Sequence, residues 1–348
     1  MSNMGKHTKR IIATVMAGMC IMAALSGCSH INGNEKYTLD EENKLIVYTA
    51  HKEEIYQPII REFEERSGIW VDVISGGTNQ MLDRIAQENG SGSGDIMFGG
   101  GVDSLAAYEQ YFSSYAVSQR SNLDDTYASR TDSYTVFSKL PVVFIYNTKL
   151  VLPSGAPRSW KRLTDYQWDG VISFADPMKS GSSYTALLTM VQIASDENDQ
   201  PTRIVEDFAH MLEGSLSSGS NTVVDDVASG DKLIGITLEE TALKKMAQGA
   251  DIAMVYPDDG TCAVPDGCAI IKGAKHRENA EKFMEFIVSD DVQKLLEEQL
   301  YRRSVRSDFA SSEVPGEVRY DMNYSESIRS EVLSVWQNSF TAKKVEEQ

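Results

Sequence analysis

The chain has 348 residues and a formal net charge of −18 at pH 7, from 33 Lys and Arg against 51 Asp and Glu. Such an acidic balance argues against a nucleic-acid partner, whose backbone calls for clustered Lys and Arg. The length is enough for two lobes, and no internal repeat, low-complexity block or coiled-coil heptad is visible.

Met1 to Arg10 carries Lys6, Lys9 and Arg10 and no acid, and Ile11 to Ala24 is an apolar run. The run is shorter than the ~20 residues that span a bilayer, so residues 1–27 read as a signal peptide. Leu25-Ser26-Gly27-Cys28 looks like a bacterial lipobox, in which the cysteine thiol takes a diacylglyceryl group and becomes the mature N-terminus. Cys28 is therefore the expected lipidation site, the protein is expected outside the cytoplasmic membrane, and two or more acyl chains would anchor it stably. The competing reading is an ordinary signal peptide with a chance cysteine. Residues 28–43 are polar, hold Gly33 and several charges, and read as a flexible linker.

The body alternates strand-like and helix-like segments. Leu45–Thr49 suits a buried parallel strand, and Ile55, Ile59 and Phe63 then recur every four residues on an amphipathic helix that Gly68 stops. Ile69–Ile74 is a second strand; Gly76-Gly77 turns it into a helix from Thr78 through Ile85. Asp95–Phe98 is a third strand, followed by Gly99-Gly100-Gly101 and a helix with Leu105 and Ala106. Three βα units in a row predict a parallel sheet with helices on its faces. The pattern restarts at Val142–Tyr146, continues with a strand at Val171–Ala175, and runs through Ser180-Gly181-Ser182-Ser183 into an apolar helix. Leu233–Thr237 is a later strand, and Glu239-Glu240 opens the next helix.

Ligands of open α/β sheets bind at the carboxyl ends of strands, beside helix N-termini with free N–H donors. Ala50-His51-Lys52, Gly76-Gly77-Thr78 and Gly99 to Asp103 converge at that edge. Ser180 to Ser183 reads either as an N-cap with spare serines or as an anion seat of hydroxyls and amides. Cys20 leaves with the leader. Cys262 and Cys268 could form a disulfide in an oxidising compartment or remain two partly buried thiols. Neither spacing nor partners suggest a zinc site.

Several segments together resemble a known family. They include Val47-Tyr48-Thr49-Ala50-His51-Lys52-Glu53, Phe63-Glu64-Glu65-Arg66-Ser67-Gly68-Ile69 and Asp95-Ile96-Met97-Phe98-Gly99-Gly100-Gly101. Further along come Ser159-Trp160, Phe174-Ala175-Asp176-Pro177, Gly235-Ile236-Thr237-Leu238-Glu239, Ala269-Ile270-Ile271-Lys272-Gly273 and Asn279-Ala280-Glu281-Lys282-Phe283. Their order and spacing resemble the type II periplasmic solute-binding proteins of ABC importers, in the branch holding ferric-ion, thiamine, phosphonate and hexose-phosphate receptors. The resemblance implies a two-lobed α/β fold with two crossing hinge strands: residues 44–140 plus 264–348 as lobe one and 141–263 as lobe two. It implies hinge closure on a ligand, ABC permease and ATPase subunits as partners, a monomer, no cofactor and no enzymatic activity. The positions matching the family's binding loops are Thr49, His51, Gly77, Thr78 and Gly101 in lobe one and Ser180, Ser182, Ser183, Thr185, Thr237 and Glu239 in lobe two.

His51 could donate to an anion or bind a metal, or merely cap the first helix. Ferric receptors of this family carry adjacent tyrosines just past the strand that here ends in Thr237; this chain has Leu238, Glu239 and Glu240 there. The Ser180-Gly181-Ser182-Ser183 and Gly76-Gly77-Thr78 helix starts offer neutral donors that suit a phosphate, so the expected ligand is a small anionic, phosphorylated organic solute, with no metal, and a ferric or thiamine receptor is the alternative. A hydrolase, a phosphate-loop enzyme or a zinc enzyme finds no motif here, and a surface scaffold lipoprotein would not need loops lined with Gly, Ser and Thr.

Overall fold

Strand β1 (Lys44–Thr49) lies between two parallel neighbours, β2 (Trp70–Ser75) and β3 (Ile96–Gly101). The connections are helices α1 (Glu53–Ser67) and α2 (Thr78–Glu88), and α3 (Val102–Ala107) follows β3. The predicted run of βα units is thus present. α1 buries Ile55, Ile59, Ile60 and Phe63 on one face and continues through Pro58. It ends where Gly68 turns left-handed at φ 70° and its N–H bonds Glu64 O, the closure only glycine makes without strain. The structure, a computed structural model, describes residues 41–195, 200–309, 313–319 and 322–346. The expected signal peptide, Cys28 and nearly all of the expected linker lie outside these residues.

The remaining elements follow in chain order. They are β4 (Phe112–Ser113), β5 (Thr135–Asn147), β6 (Ile172–Ser173), α4 (Gly181–Ser195), α5 (Arg203–Met211), α6 (Thr222–Ser229), β7 (Ile234–Leu238) and α7 (Glu239–Ala247). Then come β8 (Ile252–Val255), β9 (Ala263–Ile271), α8 (Arg277–Ile287), α9 (Asp290–Leu300), β10 (Arg303–Ser304) and α10 (Met322–Glu346). The sheet runs β2-β1-β3-β9-β5-β7-β6.

β5 explains why the molecule has two halves. The pattern predicts a strand from Val142, yet the strand begins at Thr135 and has 13 residues, about 43 Å of extended chain. Its first part, Thr135 to Pro141, pairs with β9 in the first half; Val142 to Asn147 pairs with β7 and β8 in the second. Pro141, which has no N–H to give a ladder, stands at the exchange. The return crossing runs from β8 to β9, fastened where Thr261 Oγ1 donates to Val142 O at 2.7 Å. Leu45, Val47, Phe63, Phe98 and Phe283 share one core. Phe144, Trp160, Phe174 and Phe208 share another.

One expectation changes. The C-terminal helix, read as part of the first lobe, packs instead on the second half. Val332 and Trp336 of α10 are buried in the core with Phe174 and Phe208, with the Trp336 ring 5.6 Å from that of Phe174. Spacing by four marks an apolar face on this helix but does not say which half it covers. Before that helix, residues 313–319 pass the hinge: Thr261 N donates to Gly316 O, Val318 N to Thr261 O, and Glu317 pairs with buried Lys139 of β5 at 2.8 Å. Of the two readings of the cysteine pair, the free one holds: Cys262 and Cys268 are free and buried. The extended chain around them holds residues six apart about 20 Å from one another, whereas bonded cysteines need Cα atoms within ~7 Å.

Candidate functional site

The three βα loops, two of them glycine-containing, meet at the carboxyl edge of the first half, as their pattern implies. Thr49 is buried; its hydroxyl donates to Phe98 O at 2.8 Å and accepts the His51 N–H at 3.1 Å, so it ties the first loop to the third. Gly99 and Gly100 have φ of 93° and 107°. A Cβ on Gly99 would lie 2.5 Å from His51 Nε2, and one on Gly100 would lie 3.0 Å from Thr78 Cγ2. The glycines therefore let His51 and Thr78 pack directly on the third loop. Gly77 and Gly101 stand as N-caps of α2 and α3.

Asp266 on β9 organises this edge. It accepts the Gly100 N–H at 2.9 Å and a hydrogen bond from Arg302, and its Oδ2 lies 3.3 Å from His51 Nε2. The His51 ring is enclosed edge-on by Phe98 and Phe137, at 4.9 and 5.9 Å between centroids. Burial pushes its pKa down to about 4, the nearby Asp266 charge notwithstanding, so the ring is neutral at neutral pH. Its Nε2 is buried without a hydrogen-bond partner.

Between the halves lies a cleft of about 360 Å³, within the ~300–1,000 Å³ usual for small-molecule sites. His51, Lys52, Asn221, Thr237, Glu240, Lys244 and Arg302 are among its walls. The N-termini of α1, α6 and α7 open onto it, and such termini carry free N–H groups and partial positive charge. Arg302, which precedes β10, forms the floor. Burial opposes its charge, but the carboxylates of Glu240 and Asp266 more than offset this and raise its pKa. It donates to Ser138 Oγ at 3.0 Å, and Glu240 Oε2 lies 3.1 Å from its Nε. The other oxygen of Glu240 accepts from Lys244 at 2.8 Å, and Lys244 reaches Glu54 of α1 at 3.3 Å. Lys245 pairs with Asp225 on the same rim.

Of the residues singled out from sequence, His51 and Thr237 line this cleft, with Thr49, Thr78 and Gly101 behind the first of them. Glu239 does not line it. Its oxygens take Arg303 Nε and Nη2 at 2.7 and 2.8 Å, and the Tyr256 hydroxyl also bonds it. One residue is a turn of about 100° around a helix, and so Glu240 takes the cleft face. Ser180, Ser182, Ser183 and Thr185 stand apart from the cleft. Ser180 Oγ accepts the Ser183 N–H at 3.3 Å as a helix cap, Ser182 and Ser183 bond that same oxygen at 3.0 Å, and Thr185 Oγ1 donates to Gly181 O. Arg302, Glu240, Lys244 and Asp266 were not singled out; the only local mark near Arg302 is the left-handed cap at Tyr301, φ 56°. Among the described residues, no group of three or more His, Cys, Asp or Glu is placed to hold a metal ion.

A family model, bacterial extracellular solute-binding protein, matches residues 94–318. The chain belongs to this family, the solute-binding components of ABC importers, and has its type II fold. It is 23% identical over 264 residues to the "Putative 2-aminoethylphosphonate-binding periplasmic protein" of Salmonella typhi, covering 74% of this chain and 76% of that one. Among solved structures, it superposes on the periplasmic binding protein AfuA from Actinobacillus pleuropneumoniae with exogenous fructose-6-phosphate bound. There the TM-score is 0.73 at 21% identity, over 86% of this chain and 98% of the other. The ferric binding protein from Campylobacter jejuni gives a TM-score of 0.72 at 19% identity, over 85% and 99%. At these identities the likeness is one of fold.

Proposed function

We propose that this chain is a receptor lipid-anchored through Cys28 that binds a small anionic, phosphorylated organic solute between its lobes. It then passes the solute to ABC permease and ATPase subunits. The lobes on this reading are residues 44–140 with 264–309, and 141–263 with α10. The observation that supports the ligand class is the cleft wall, lined by three helix N-termini, by Lys52, Lys244 and Arg302, and by Thr237. Amide donors and cations together suit a phosphoryl group. The carboxylate of Glu54 at the rim suits hydroxyl or amino groups at the far end of the same solute.

Calorimetry with glucose 6-phosphate, 2-aminoethylphosphonate, phosphoglycerate, thiamine phosphate and ferric citrate tests the reading. A phosphorylated compound binds and its dephosphorylated counterpart does not. Binding of ferric ion alone, with a visible charge-transfer band, would end it. For the anchor, Cys28→Ser moves the protein from the membrane fraction to the soluble one; retention after a high-salt wash counts against lipidation.

A further inference from the structure

Glu240 holds a peculiar position for a receptor of anions. Its carboxylate sits between the two cations of the cleft floor, Lys244 at 2.8 Å and Arg302 at 3.1 Å. The second contact lacks hydrogen-bond alignment: Arg302 Nε is buried with this ion-pair contact but no hydrogen bond, and His51 Nε2 likewise has only the 3.3 Å contact with Asp266. Two buried nitrogens thus face carboxylates without an aligned hydrogen bond, and such groups are rare in folded proteins. The seat is occupied, but imperfectly.

Charge makes the same point. Arg302 and Lys244 face Asp266 and Glu240, so the floor is neutral before any solute arrives. Glu54, at the rim, and Lys52 and the Lys245–Asp225 pair, on the walls, do not alter that local balance. A solute anion entering beside both carboxylates would meet no net attraction, and like charges in a partly buried site oppose each other strongly. One carboxylate must give way. Asp266 is fixed by the Gly100 N–H and by Arg302. Glu240 lies in the first turn of α7 and is held by the two cations that the solute needs.

We propose that Glu240 is a built-in surrogate anion whose displacement sets an affinity threshold for the site, which a dianionic phosphoryl group passes and a monoanionic carboxylate does not. This rests on the reading of the solute as an anion. The cost of moving Glu240 is the same for every ligand, while the attraction gained from Arg302 and Lys244 grows with ligand charge. A ligand with one charge merely exchanges one carboxylate for another. A dianion does better than the group it replaces.

Inorganic phosphate and acetate are the probes, titrated into the intact detergent-purified protein by calorimetry. Glu240→Gln binds phosphate at least tenfold more tightly than the wild type and gains a similar factor for acetate, so that acetate binding becomes measurable. Glu240→Asp, whose shorter arm keeps the charge but loosens the hold on Arg302, falls between them. Should Glu240→Gln fail to fold, as judged by its thermal transition, the gain of Glu240→Asp over wild type is decisive alone. If wild type binds phosphate or glucose 6-phosphate and the variants bind no more tightly, the surrogate role is overturned and the anionic reading stands. If no form binds either compound, both are overturned.

Discussion

Replacing Gly99 by alanine separates two costs that the structure puts at one position. Gly99 has φ 93°, and a Cβ there would meet His51 Nε2 at 2.5 Å and Cδ2 at 2.7 Å. Gly68 serves as the reference: φ is 70° and nothing lies within 4 Å of its added Cβ. A left-handed alanine costs about 1–2 kcal/mol, offset by about 0.4–1 kcal/mol because alanine restricts the unfolded chain. Gly68→Ala should therefore lose about 1 kcal/mol. Gly99→Ala carries the same backbone cost plus overpacking, typically ~1–3 kcal/mol, because Phe98 and Phe137 leave the His51 ring no room to retreat except into the cleft. Its expected loss is about 2–4 kcal/mol. Urea unfolding at pH 7, with equal m-values confirming a like-for-like comparison, measures both. In a His51→Ala background the Gly99→Ala loss should shrink toward that of Gly68→Ala, since the two sites share the contact. A Gly99→Ala loss within ~0.5 kcal/mol of Gly68→Ala in the wild-type background would refute the packing argument, on the usual precision of such comparisons.

Three further outcomes are expected. His51 takes a proton near 6.5 when unfolded but only near 4 when folded, so the unfolded chain binds more protons between those values. Stability thus falls as pH drops through that window, by about 2 kcal/mol from pH 7 to 5. His51→Asn should flatten this slope in urea titrations, and an unchanged slope would assign it to other groups. Glu317→Gln leaves the buried Lys139 ammonium without its 2.8 Å partner and should cost about 3 kcal/mol; pairing it with Lys139→Met should recover most of that in chemical unfolding. No recovery would mean that the charge pair itself carries the stability. Cys262 and Cys268 are buried, which pushes the Cys262 thiol up to about 11 and Cys268 well above the usual range. Both should resist iodoacetamide in the native protein and alkylate fully in denaturant without reductant. Failure to alkylate there would reveal a disulfide.

The elements that pack an apolar face were legible in the sequence: α1 through Ile55, Ile59 and Phe63, and the strands at Leu45 and Val142; so were the loop after β1 and the glycines after β2 and at the end of β3. What escaped depends on partners far along the chain. The first half of β5 carries Ser138 and Lys139, which do not read as buried strand residues until Arg302 and Glu317 are seen beside them. The same holds for the site. His51 was visible because it follows a strand and opens a helix. Arg302 and Asp266 were not, because each finds its role through a partner some 36 residues away. Glu239 and Glu240 could not be told apart by position alone, since only the packing of α7 decides which faces the cleft. At Ser180 to Ser183 the capping geometry is the one that appears.

The placement of α10 bears on how the chain can fold at all. Trp336 and Val332 complete the core of the second half, yet they are synthesised after every described strand of the sheet. A nascent chain that has not yet yielded this helix leaves the apolar surface of α5 and Phe174 without its cover. Each half also needs residues from both sides of the other, so neither is an independent folding unit, and most native contacts must wait for distant sequence. Folding is thereby deferred to the finished polypeptide, and a truncation ahead of residue 322 should yield an aggregating chain rather than a smaller receptor.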